Sequence, residues 1–158
     1  MRVRFIKESP DRYRLECIRD DGSKTSASLE FRGYFKHDLL HCVVERAAGL
    51  QDSFFGLVRG GKDLHELTPK AIRESAAVLP AELQTTEIVV GALHGPFQTG
   101  TDFQEVCLRI REYVAMMSLA EPPYLTPEFC ARAASEHRSL LGRWGQLRGG
   151  ESLEFTFP

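Results

Sequence analysis

Three short runs near the start of the chain alternate apolar and polar side chains, and a fourth such run closes it. Val3 and Phe5 alternate with Arg2 and Arg4. Tyr13, Leu15 and Cys17 alternate with Arg14 and Glu16, and Ala27, Leu29 and Phe31 alternate with Ser28 and Glu30. At the far end, Leu153, Phe155 and Phe157 alternate with Glu154 and Thr156. A period of two places each apolar set on one face of a strand and leaves the other face in water, the arrangement antiparallel sheets permit. Ser9-Pro10-Asp11 and Asp20-Asp21-Gly22-Ser23 separate the first three runs with turn chemistry, so these predict a meander. The last run follows the breaker Gly149-Gly150, and its three large side chains are buried if it returns to the same sheet as a fourth strand.

Between these ends the chain carries helical punctuation. Thr68-Pro69 and Thr126-Pro127 each place a capping hydroxyl before a proline suited to the first helical position, and Thr101 with Gln104 resembles a capping box. Helices are predicted over about 35–48, 53–59, 68–78, 81–94, 101–119 and 126–147. In the fifth, Phe103, Val106, Cys107, Ile110, Val114 and Met117 form one stripe and Leu108, Ala115 and Leu119 a second, which predicts packing on two sides. The last helix has Phe129, Ala133, Leu140, Trp144 and Leu147 on its apolar stripe, so Trp144 is expected to be buried. Strands, then helices, then a returning strand give an α+β fold: an antiparallel sheet of about four strands, three N-terminal and one C-terminal, with a helical layer on one face. Neither a linker nor a repeat divides the sequence, so residues 1–158 are read as one domain.

Composition restricts the partners. With 20 Lys and Arg against 22 Asp and Glu the net charge is −2, which leaves nucleic-acid binding only to a local patch. Cys17, Cys42, Cys107 and Cys130 stand singly within apolar patterns, as small reduced hydrophobes do. The opening MRVRFIKESP has no apolar export core, and no run approaches the ~18 apolar residues of a membrane span. Reduced thiols and no export signal predict the cytoplasm and no membrane association.

The segment Phe35–Glu45 is the most suggestive for chemistry. At about 100° per residue, His37, His41 and Glu45 fall near 0°, 40° and 80°, with Asp38 near 100°. Two imidazoles and a carboxylate on one helical face are the donors of a divalent transition metal site, zinc or similar. The same spacing arises in the solvated face of an amphipathic helix, where exposed rings titrate normally and removing His41 leaves the apo protein unchanged in stability. His137 would be a further ligand by elimination. On the apolar stripe of the last helix, however, it reads first as a hydrogen-bonded core residue. His94, before Gly95-Pro96, reads as a cap on the helix dipole, and His65 has no constellation.

Other motifs carry less. Gly56–Lys62 satisfies G-x-x-x-x-G-K, but Asp63 replaces the required hydroxyl and no strand precedes it, so the glycines are read as a helix end. His41 and Cys42 are neighbours whose side chains diverge on a helix, and Cys130 and His137 lie two turns apart, so neither forms a nucleophile–base pair. Two functions follow. One is a non-catalytic binding or assembly domain, a homo-oligomer or a surface for a protein partner, suggested by surplus apolar residues such as Phe54, Phe55, Met116 and Met117. The alternative is a metal-dependent, hydrolase-like enzyme centred on His37, His41 and Glu45, with Asp38 available to orient a ligand or accept a proton.

Overall fold

In the computed structural model, which describes residues 1–75, 78–95 and 101–158, the alternating runs form one sheet. Strands β1 (Arg2–Ser9), β2 (Arg12–Ile18), β3 (Lys24–Glu30) and β4 (Ser152–Thr156) lie in the order β3-β2-β1-β4, every pair antiparallel. The register aligns the apolar alternation: Val3 faces Cys17 and Phe155, Phe5 faces Leu15 and Leu153, and Leu15 faces Ala27. On the opposite face Arg4 bridges Glu16 and Glu154, each at 2.9 Å, so that face is the solvated charged surface the sequence predicts.

Helices cover the inner face: α1 (Lys36–Ala48), α2 (Phe54–Arg59), α3 (Pro69–Ser75), α4 (Ala81–Leu93), α5 (Phe103–Met116) and α6 (Pro127–Gln146). The α+β architecture therefore follows the alternation directly. Residues 76–77, the end of the predicted 68–78 helix, and Pro96, after the α4 turn, lie outside the described residues. Thr68 and Thr126 cap α3 and α6 as expected, their hydroxyls accepting from the amides of Ala71 and Phe129. Trp144 is buried, stacked tilted on Phe35 at 4.1 Å between ring centres. Lys7 reaches the open end of α6 and donates to the carbonyls of Trp144 and Leu147, satisfying groups left free by the helix terminus.

Several local expectations are corrected. A π-helical turn, Phe31–Phe35, precedes α1 and stacks Phe31 on Phe35, a geometry that the aromatic spacing alone does not announce. A 3₁₀ turn at Leu64–Leu67 carries a capping box between Asp63 and Glu66. The cap of α5 is Asp102 rather than Thr101, since its carboxylate accepts from Gln104 and Glu105. The helix α5 ends at Met116, not 119, and packs against both α4 and α6: Cys107, Ile110 and Val114 are buried, and of the second stripe Leu119 is partly buried against the core, whereas Leu108 is 53% exposed and Ala115 faces water. Gly56 lies so close to Gln51 that an added Cβ would fall 2.2 Å from its carbonyl oxygen, so it serves helix packing and not phosphate binding. Lys62 pairs instead with Glu66. No helix among the described residues is long and apolar enough to cross a membrane.

Candidate metal centre

Helix α1 lies at the centre of the helical layer, against α2, α4 and α6. Leu39, Leu40, Val43 and Val44 drive one side of it into the core. Its polar side is interior over its second half: His41 is 3% exposed and Glu45 completely buried, whereas His37, one turn earlier, is only half-buried. Polar groups removed from water need internal partners, and these have them. Glu45 accepts with one oxygen from the Phe55 amide at 2.8 Å, and its Oε1 lies 2.9 Å from His41 Nδ1. The Phe54 ring lies against His41, with centres 6.1 Å apart. The carboxylate thus fixes the orientation of the imidazole and turns Nε2 the other way.

That nitrogen is one of four buried side-chain polar atoms without a hydrogen-bond partner among the described residues, the others being Arg46 Nε, Ser53 Oγ and the Tyr124 hydroxyl. The His41 nitrogen is excluded from solvent, and Glu87 Oε1, from α4, lies 3.3 Å away without hydrogen-bond alignment. One turn earlier on α1, His37 repeats the pattern. Its Nδ1 lies 3.6 Å from Asp38 Oδ1, and its Nε2 lies 3.5 Å from Glu87 Oε2. Each ring therefore has a carboxylate beside Nδ1 and directs Nε2 at the shared Glu87. The ligand atoms of His37, His41 and Glu87 all fall within 4.8 Å of one another. A tetrahedral ion with bonds of about 2.05 Å needs ligand atoms roughly 3.4 Å apart. The contacts of 3.3 and 3.5 Å are made to different oxygens of Glu87, so one carboxylate oxygen has to approach both rings for the three to share an ion.

The electrostatics agree with this geometry. Burial alone would lower the His41 pKa, but Glu45 and Glu87 outweigh it and raise it to about 9. Asp38, then Glu87, raise that of His37. Burial would raise the pKa of Glu87, yet the two imidazoles hold its carboxyl well below the usual range. The protonated rings and Glu87 form an ion-pair cluster, and a divalent cation can replace the ring protons.

Of the residues expected from sequence, His37 and His41 come together. Glu45 lies behind His41, on Nδ1, positioned to orient that ligand and not to share an ion with it. Asp38 stands behind His37 and also accepts from the Tyr13 hydroxyl. His137 is committed elsewhere, its Nε2 2.9 Å from the Lys36 carbonyl oxygen, which is the core reading. His94 ends α4 beside the site, with its ring 5.9 Å from that of His37; burial, then the His37 charge, lowers its pKa. Glu87 is the residue that sequence reasoning missed. Its one local signal is its place at the edge of the α4 apolar stripe, where it shares a side with His94 seven residues on. Compared with known proteins, the chain matches no family model, no curated protein and no solved structure.

Proposed function

We propose that the chain is a metal-dependent enzyme of the hydrolytic kind, holding a divalent transition metal such as zinc through His37, His41 and Glu87. The observation that carries this reading is the solvent-excluded Nε2 of His41, which makes no hydrogen bond and lies 3.3 Å from Glu87, with Nδ1 held by a buried carboxylate. Two nitrogens and one oxygen suit zinc and its neighbours. Three protein ligands leave a coordination position for water, as catalytic sites do. The side chains of His37 and Glu87 are 35% and 47% exposed, so that position opens to solvent. A bound metal would supply Lewis acidity and a nucleophilic hydroxide near neutral pH. The protein orients the ligands: Glu45 and Asp38 hold the rings from behind, as outer-shell carboxylates do. Four buried free thiols, with Cys107 and Cys130 in contact at 3.5 Å and not bridged, support a reducing, cytoplasmic setting.

The test begins with protein purified without an affinity tag and stripped by chelator. At 100 times its Kd a metal stabilises a folded protein by about 2.7 kcal/mol, or roughly 5–10 °C in Tm for a chain of this size. Zinc, nickel or cobalt should give such a shift in wild type, and Glu87→Gln should remove most of it. Metal-dependent hydrolysis of activated esters or phosphoesters should be lost in the same variant. No stabilisation by any first-row divalent ion at neutral pH overturns the reading.

A second reading, an assembly surface for a protein partner or a second copy of this chain, rests on a separate observation. Tyr113, Met116 and Met117, at the carboxyl end of α5, are 49%, 69% and 50% exposed. Of the four apolar residues the sequence offered in support, Phe55 is buried and Phe54 covers His41, so only the two methionines still support it. Sedimentation of wild type and Met116→Glu distinguishes an oligomer from a monomer.

A further inference from the structure

The inner face of the sheet is covered unevenly. Val3 and Phe5 are sealed beneath the helices, whereas Ala27 and Leu29, on the edge strand β3, are only partly buried. Over them the 3₁₀ turn and α3 stand off, leaving a cavity of about 390 Å³. Its walls include Leu64 and Leu67 from that turn and Phe54 from α2. Small-molecule sites have this character, with volumes of about 300–1,000 Å³, mostly apolar walls and a few polar groups.

The polar groups are unequally distributed. Lys70 and Arg73 border the cavity from α3, three residues apart and therefore on one side of that helix. Both are exposed, and Lys70 has only a long contact of 3.9 Å with Glu74. Arg73 has no ion pair among the described residues. The one carboxylate on the wall, Asp38, already accepts from the Tyr13 hydroxyl and stands beside His37. A cationic rim over an apolar chamber complements a molecule with an apolar body and an anionic end. We infer that this cavity binds a small amphipathic carboxylic acid, its apolar part against Ala27, Leu29 and Leu67 and its carboxylate beside Lys70 and Arg73. The cavity adjoins the metal centre through Asp38 and Phe54 but holds none of its ligand atoms, since His37 turns its ligand nitrogen toward Glu87, which is not on the wall.

Octanoate and octan-1-ol serve as probes, titrated by calorimetry into the full chain in the presence of EDTA, so that a carboxylate–metal contact cannot contribute. Octanoate should bind and the alcohol more weakly. Lys70→Glu/Arg73→Glu, which changes only exposed positions, should weaken octanoate roughly three- to tenfold, as loss of two exposed ion pairs implies, and leave the alcohol unchanged. Ala27→Trp should abolish binding of both by filling the chamber. Should that variant fail to fold, methyl NMR shifts of Leu29, Leu64 and Leu67 in wild type report the same location. No binding of octanoate at millimolar concentration, equal affinity for the alcohol, or binding that leaves those methyls and a folded Ala27→Trp unaffected would each overturn the inference. The metal reading is untouched by any of these outcomes, because its own test is made without the acid.

Discussion

Metal binding at His37, His41 and Glu87 should be strongly proton-linked, and the structure sets the size of the effect. Zinc, nickel and cobalt need the Nε2 lone pair of a neutral ring, but Glu45 and Glu87 raise the His41 pKa to about 9. At pH 7 about 99 in 100 apo molecules then carry the proton, and displacing it costs about 2.7 kcal/mol, or about 100-fold in Kd. Apparent affinity should therefore rise about tenfold per pH unit from 7 to 9 and level off above. His37, whose pKa Asp38 and Glu87 also raise, adds to the slope wherever it is protonated. Calorimetry with nickel or cobalt and a competing chelator, repeated in buffers of different ionisation enthalpy, reads affinity and proton release together. One to two protons should leave per metal bound at pH 7. A Kd constant from pH 6 to 9, or zero protons released, would refute the assignment of His41 as a ligand. The apo protein shows the reverse sign: a raised histidine pKa stabilises fully below about 6.5, its unfolded value, and the contribution is lost as pH rises through about 9. Wild type should thus lose more stability than His41→Gln between those limits.

Other expectations follow from burial. Deleting residues 151–158 removes Leu153, Phe155 and Phe157, all buried, at ~1.5–3 kcal/mol each; an unchanged Tm would contradict their place in the sheet. Trp144 should emit at short wavelength and resist iodide quenching in the native state, with indole-like emission contradicting its burial beneath Phe35. The four thiols are all buried, and burial pushes those of Cys17 and Cys130 up to about 12. Disulfide reagents should therefore label them only after unfolding, and rapid labelling of any one in native protein would be inconsistent with this core. His41→Ala should destabilise the apo protein by roughly 3–5 kcal/mol because it strands Glu45, whereas the pair His41→Leu/Glu45→Met should cost less, about 1–3 kcal/mol for the Phe55 amide it leaves unpaired. Equal losses in the two variants, read by urea denaturation, would mean that Glu45 does not depend on His41.

Much of the fold could be read locally because its signals are local. Alternation along Leu153–Phe157 and along the three opening strands fixes which faces must meet, and Thr68 and Thr126 announce their helices in two residues each. The failures arose where a tertiary choice decides. Of the second stripe of α5, Leu108 and Ala115 stay exposed and only Leu119 reaches the core, and helix periodicity does not report what lies opposite. The α1 face failed in the other direction. His37, His41 and Glu45 have the spacing of a wet amphipathic surface, and only the position of α2 and α4 makes that surface an interior. Glu87 lies 46 residues after His41 in sequence, in another helix, so the partnership exists only once the helices pack. Spacing along α1 selects Glu45, whereas geometry puts Glu45 on Nδ1 and Glu87 on Nε2.

The distribution of charge in this interior explains how one site can exist in two states. Asp38, Glu45 and Glu87 bring three negative charges to two imidazoles. With the carboxylates ionised and both rings protonated, the five side chains carry a net charge of −1, and with both rings neutral and a divalent cation bound the net charge is the same. Two ring protons and one metal ion are therefore electrostatically interchangeable here, and exchange leaves the local charge unaltered. Glu45, completely buried, is the carboxylate that most depends on a positive charge nearby, since uncompensated charge away from water is strongly unfavourable, whereas the Glu87 side chain is 47% exposed. The carboxylates behind the rings thus do two things at once: they aim each Nε2 at Glu87, and they require a positive charge between the helices. At low pH protons satisfy that requirement. As pH rises through the His41 pKa, the site loses its internal cation, and a divalent metal becomes the species that restores it.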